Sequence, residues 1–203
     1  QESAGIVAGG GDGKSFRTHK GMGLVSQVFQ PGDLEKLQGN RAIGHVRYST
    51  TGSSNLKNAQ PFLVDTARGQ LAIAHNGNLV NAAALRSELE ERGSIFQTTV
   101  DSEIVLHLLA QPPGDGGGLA ALRRLEGAFS IVLMGENEII GFRDPHGFRP
   151  LCLGKLDGGY VLASESCAFD LIHAEFVREH EPGEVLIIDE NGLRSEWPFR
   201  RER

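Results

Sequence analysis

Beyond residue 127 the chain is a succession of short apolar segments: AFSIVLM (128–134), EIIGFR (138–143), PLCLG (150–154), GYVLAS (159–164), EVLIID (184–189) and GLRSEW (192–197). Several are separated by GEN (135–137), DGG (157–159) and DENG (189–192), whose residues tolerate the positive φ that tight hairpins require. Apolar runs of this length bounded by such turns read as strands. AGIVA (4–8), AIGHVRY (42–48) and QLAIAHN (70–76) read the same way, and a single block of helices lies between the two blocks of strands. A chain built of blocks does not make the alternating βαβ units of a parallel sheet. The order predicts packed antiparallel sheets with helices outside them, an α+β architecture.

The helical block has two main members. Residues 79–92 carry Ala82, Leu85 and Leu89 at helical spacing, with Asn78 in front as the cap and Gly93 behind as the stop. Residues 101–110 gather Ile104, Val105, Leu108 and Leu109 on one face. PPGDGGG (112–118) interrupts the pattern, and a short helix at 119–125 leads into the second block of strands.

With 203 residues, 39% of them hydrophobic and 23% charged, the chain can build one soluble domain with a substantial core. No stretch approaches a membrane span. A net charge of −6 and a pI near 5.6 repel phosphate backbones, and FRRER (199–203) is too short to reverse that, so neither nucleic acid nor a membrane is an expected partner. Cys152 and Cys167 form no disulfide framework and have no metal-ligand spacing, which predicts a reducing, cytoplasmic setting. The histidines are scattered singly, which argues against a metal cluster. The chain opens on Gln1 without the pattern of a signal peptide and reads as a cut inside a longer protein.

Chemistry is concentrated where strands end. IAHNGN (73–78) closes an apolar run on Asn76-Gly77, ordinarily a hairpin signal, yet helix-forming sequence follows. A strand, a bend and a helix would leave the Asn76 amide and the Gly77 N–H free to bind an oxyanion. Arg47 ends another strand, and Asp101 opens the second helix. A free α-amino acid needs a guanidinium for its carboxylate, a carboxylate for its ammonium, and donors for its reacting side chain. Taken singly, Asp101 equally fits an N-cap, and Arg47 a surface arginine at a strand end. YSTTGSSNLKN (48–58) has nothing with which to pack a core and suits a mobile functional loop.

The stretches GHVRYSTTG, IAHNGNLVN, GSIFQTTVDSE, FRDPHGFRPL and ASESCAFD, in this order, resemble the glutaminase half of the glutamine phosphoribosylpyrophosphate amidotransferases. The first three have counterparts throughout the class II glutamine amidotransferases, while DPHGFRPL with ASESCAFD points to the purine branch. The resemblance implies a four-layer αββα N-terminal-nucleophile hydrolase fold. It implies a glutaminase that passes ammonia to a phosphoribosyltransferase domain of the same chain for de novo purine synthesis. Arg47 is expected to hold the glutamine α-carboxylate and Asp101 its α-ammonium. Asn76 and Gly77 would form the oxyanion hole, and Thr50 would lie in the loop that folds over the substrate. No cofactor is expected within these residues; Mg2+ would serve the phosphoribosyltransferase domain, some members carry an iron–sulfur cluster, and the longer protein is expected to be a homo-oligomer.

One departure accompanies the match. The family's cysteine-led strand and first helix precede the counterpart of QESAGI and have no equivalent here, so the nucleophile is expected upstream of Gln1. Cys152, in an apolar segment, reads as a small core residue, and Cys167, before AFDLI, as a cysteine at a helix N-terminus without a catalytic role. The phosphoribosyltransferase domain is expected beyond residue 203. A glutamine-sensing or protein-binding module that has lost the nucleophile is the alternative. Arg47, Asn76, Gly77 and Asp101 all match the active pattern, which favours the enzyme.

Overall fold

The structure is a computed structural model and describes residues 1–9, 15–48, 55–112 and 118–198. In chain order the elements are β1 (Ser3–Gly9), β2 (Arg17–Met22), α1 (Val25–Val28), β3 (Arg41–Arg47), β4 (Phe62–Thr66), β5 (Gly69–Leu79), α2 (Ala82–Glu91), α3 (Ser102–Ala110), β6 (Gly127–Met134), β7 (Ile139–Arg143), β8 (Cys152–Leu156), β9 (Gly159–Ala163), α4 (Cys167–Ile172), β10 (Glu175–Glu179), β11 (Val185–Asp189) and β12 (Gly192–Glu196). The strands form a six-stranded sheet, β12-β11-β7-β6-β5-β4, and two three-stranded sheets, β2-β1-β3 and β10-β8-β9. The pairings are antiparallel, as the hairpin turns predict.

Alternation along the strands of the six-stranded sheet gives it two apolar faces. Ile73 on β5, Phe129, Ile131 and Leu133 on β6, and Ile140 and Phe142 on β7 pack against Leu85 and Leu89 of α2 and Ile104, Val105 and Leu108 of α3. The intervening residues Ala72, Ala74 and Met134 meet Val7 of β1, Ile43 of β3 and Phe16. The β10-β8-β9 sheet lies on this second face too: a Cβ on Gly141 of β7 would sit 2.7 Å from Leu162 of β9 and 3.3 Å from Leu151. Helices, a large sheet and a pair of smaller sheets are therefore stacked in that order. The short helices α1 and α4 lie beyond the smaller sheets, against β1 and β2 and against β10.

The two smaller sheets do not touch along one seam. Among the described residues β3 has β1 as its ladder neighbour and β9 has β8, so each presents an outer edge. Residues 41–44 of β3 and 159–162 of β9 line opposite walls of one groove of about 1200 Å³, floored by Val132 and Ile139 of the six-stranded sheet.

The sequence reading departs from the structure in instructive places. Strand β5 does not stop at Asn76-Gly77 but continues to Leu79, paired in register with β6: Asn76 with Ser130, Gly77 with Phe129, Asn78 with Ala128 and Leu79 with Gly127. Helix α2 consequently begins at Ala82 rather than 79, and Asn78 is a strand residue rather than its cap. Asn81 precedes the helix without capping it; its side chain donates to Arg124 O and accepts from Glu126 N. Strands β2, β4 and β10 have no counterpart in the sequence reading. All three are sheet edges, where polar side chains are tolerated and apolar alternation is weak. The short helix before β6 is a 3₁₀ helix, Gly118–Arg124. The 48–58 segment is not wholly without core contacts, because Asn58 is buried and pairs with Thr99 through both ends of its amide. Among the described residues no helix is long and apolar enough to cross a membrane.

Candidate active site

Strand β4 covers β5 only as far as Ile73, so the outer edge of β5 beyond it must find other partners. Side chains supply them. Gln60 Oε1 accepts from His75 N at 2.8 Å and its Nε2 donates to His75 O. Asp101 Oδ2 accepts from Leu79 N at 2.9 Å. By the two-residue alternation of a strand, Gly77 is the member of this row between the two. Its φ of 142° and the 2.0 Å that would separate a Cβ from Ala128 O restrict the position to glycine.

Asp101 thus occupies the N-cap position of α3 without capping it: its side chain bonds no amide of the helix. Besides the Leu79 amide it faces His75, whose Nδ1 lies 3.3 Å from Oδ1 and 3.2 Å from Ser102 Oγ. Burial works against its charge, but the His75 ring and the Leu79 N–H outweigh burial and hold the carboxyl below its ordinary pKa. It is an anion at neutral pH.

The neighbouring strand of the other layer is tied to the same place. His45 Nε2 donates to His75 O at 3.1 Å, and burial pushes the His45 pKa down to about 4, leaving a neutral ring with that hydrogen bond to make. Arg47 is two residues further along β3 on the same face, about 6.6 Å from His45 by strand rise. It is buried, with Glu2 Oε2 3.4 Å from its Nη1. The sequence reading of Arg47 as a surface residue is thus excluded.

Asn76 points to the opposite face of β5, into the space between the sheets. A smaller cavity of about 130 Å³ is lined there by Gly44 and His45 of β3, residues 74–76 of β5, Ser130 and Val132 of β6, and Leu162 and Ala163 of β9. Gly44, Val132 and Leu162 also line the large groove, so the groove runs on toward Asn76. The Asn76 Oδ1 accepts from Arg149 Nη2 at 2.5 Å. Thr50 lies outside the described residues. Cys152 is buried in β8, and burial raises its pKa; Cys167 is exposed at the start of α4 and lines neither cavity. Among the described residues no group of His, Cys, Asp or Glu side chains is arranged to hold a metal ion.

Residues 45–170 match the family described as the glutamine amidotransferase domain. The chain belongs to that family. The amidotransferase domain is 51% identical over 198 residues to the chloroplastic amidophosphoribosyltransferase 2 of Arabidopsis thaliana, covering 96% of this chain and 35% of that protein. It is 48% identical over 204 residues to the amidophosphoribosyltransferase of Bacillus subtilis, covering 97% and 42%. The solved B. subtilis glutamine phosphoribosylpyrophosphate amidotransferase, complexed with ADP and GMP, superposes with a TM-score of 0.88 at 47% identity, over 98% of this chain and 43% of that one. The amidotransferase domain thus spans less than half the length of these relatives, and its fold is that of the N-terminal-nucleophile amidotransferases.

Several members of the network carried no separate signal in the sequence. Gln60 and His45 bond the backbone of His75, whose ring meets the side chains of Asp101 and Ser102, and only the tertiary packing brings them together. Arg149 and Asp144 stood inside FRDPHGFRPL, which marked the branch of the family without revealing what the arginine touches.

Proposed function

We propose that this chain is the glutaminase domain of an amidophosphoribosyltransferase. It binds glutamine and releases ammonia for a phosphoribosyltransferase domain of the same longer protein, which consumes it with phosphoribosyl pyrophosphate in purine synthesis. The observation that carries the reading is the β5 edge. Between the amides engaged by Gln60 and Asp101 stands a position open only to glycine, and the Asn76 amide beside it has its oxygen already occupied.

In this reading the glutamine side-chain carbonyl lies against Asn76 Nδ2 and the Gly77 N–H. A cysteine thiolate on a segment preceding Gln1 attacks the carbonyl carbon, and the negative charge passes to the oxygen between these donors. The C–N bond then breaks, the proton taken from the thiol by the cysteine's own α-amino group leaves with ammonia, and water hydrolyses the thioester to glutamate. Such donors are aimed before the charge forms, and each contributes roughly 2.7–4 kcal/mol at comparable sites. Arg47 pairs with the substrate α-carboxylate, Asp101 with its α-ammonium, and Thr50 belongs to the loop that closes over them.

The groove gives that nucleophile a route. An extended segment between the outer edges of β3 and β9 would join the two small sheets and run toward the cavity beside Asn76. The test is the longer protein: with the upstream segment present it hydrolyses glutamine, and Asn76→Ala lowers kcat by roughly a hundredfold or more. An upstream segment without a cysteine, together with glutamine binding and no hydrolysis, would leave the binding-module reading instead.

A further inference from the structure

An asparagine amide serves an oxyanion only when its nitrogen, not its oxygen, faces the ligand. The two ends are nearly the same size, so something must decide which way the group points. The guanidinium of Arg149 is the group on the other side of Asn76. A guanidinium carries N–H donors and no acceptor, so it can meet the amide oxygen and not the amide nitrogen.

Arg149 is itself held at both ends. Its N–H donates to Asp144 Oδ2 at 3.0 Å and its carbonyl accepts from Arg143 Nε at 2.7 Å. The Asp144 carboxylate is fully buried and also accepts from the N–H groups of His146, Phe148 and Phe129. Asp144 N in turn donates to Phe129 O. Phe129 is the β6 residue in register with Gly77. The loop after β7 is therefore clamped to the strand position opposite the glycine, and its last turn delivers the guanidinium to the asparagine next to it.

We propose that Arg149 is a positioning residue for Asn76: it fixes the amide with its nitrogen toward the substrate carbonyl, and its charge polarises the amide for hydrogen bonding to an oxyanion. The role rests on the glutaminase reading for its consequence in catalysis, but not for the orientation itself. An oxyanion exists only after attack, so the effect falls on kcat rather than on KM.

The longer protein, with its upstream segment, is assayed as wild type, Arg149→Met, Arg149→Lys, Asn76→Ala and the double variant Arg149→Met/Asn76→Ala. Arg149→Met should lower kcat for glutamine roughly ten- to a hundredfold with little change in KM, and Arg149→Lys should recover part of the loss. In the Asn76→Ala background, removing the arginine should cost almost nothing more, because it acts through the amide that is already gone. An equal loss in both backgrounds, or no loss in either, overturns the proposal. A second measurement uses the Asn76 side-chain amide resonances, identified by their absence in Asn76→Ala. They should shift and broaden in Arg149→Met; resonances that stay in place overturn the proposal whatever the kinetics show. If Asn76→Ala keeps its kcat, the oxyanion reading fails, and these resonances still judge the orientation.

Discussion

Replacing Asp101 by asparagine separates its two duties. The amide oxygen of the new side chain can still accept from Leu79 N, which lies 2.9 Å from Asp101 Oδ2, while an NH2 group takes the place of Oδ1 beside His75 Nδ1. His75 can meet that donor by carrying its proton on the other ring nitrogen. The structural loss is two charge-assisted hydrogen bonds, from Leu79 N and His75 Nδ1, exchanged for neutral ones, on the order of 1–2 kcal/mol of stability. The functional loss is larger if the carboxylate pairs with the substrate ammonium. Charge-assisted pairs contribute about 1.5–3 kcal/mol, which at about 1.4 kcal/mol per tenfold is a fall of roughly ten- to a hundredfold or more in kcat/KM.

Three measurements check this. In the longer protein, turnover of glutamine should drop by that factor, whereas glutaramate, which lacks the α-amino group, should be little affected. Chemical denaturation of the two proteins should show the modest stability deficit at neutral pH. Because the folded carboxyl titrates below its unfolded value, the unfolded chain binds the proton more tightly and this contribution is lost on acidification. The deficit of Asp101→Asn should be complete above about pH 4, the unfolded value, and close as pH falls through the folded pKa. Unchanged glutamine turnover, or equal losses with both substrates, would refute the ammonium assignment and leave Asp101 as an acceptor for Leu79 and His75.

Gly77→Ala forces a side chain to within 2.0 Å of Ala128 O at a φ of 142°, so denaturant midpoints should show a loss of at least about 1–3 kcal/mol from backbone strain alone; a variant as stable as wild type would mean the strand is built differently. His180 is buried with neither ring nitrogen bonded among the described residues, and burial lowers its pKa to about 4, as it does for His45. Both rings protonate more readily in the unfolded chain, so stability should fall between about pH 6.5 and pH 4 by up to about 1.4 kcal/mol per unit for each, and His180→Leu should flatten part of that slope without loss at pH 7. The 203-residue chain on its own should release no ammonia from glutamine; release that disappears in Cys167→Ala would give that exposed thiol a role denied to it here. With β3 and β9 each presenting an unpaired outer edge among the described residues, the same chain should unfold at lower denaturant than a form extended upstream of Gln1, and equal midpoints would speak against a strand in the groove.

The order of apolar runs and turn residues, read locally, was enough for antiparallel sheets with helices outside, because strand and helix periodicities and hairpin chemistry are properties of neighbouring residues. Arg47, Asn76, Gly77 and Asp101 stood out as candidates for the same reason, each lying in a short motif with a recognisable chemistry. Their actual partners were not. Asn76-Gly77 carries every local mark of a turn, and it stays in a strand only because residues 127–130 of β6 arrive from a distant part of the chain to complete the ladder. Asp101 sits where a cap should be, yet it commits its carboxylate to Leu79 and His75, groups that β5 brings to it through the stacking of α3 on the sheet. Edge strands β2, β4 and β10 escaped notice since a strand paired on one side need not show apolar alternation. The groove between β3 and β9 and the grip of Arg149 on Asn76 belong to no segment of sequence at all, because each brings together residues far apart along the chain.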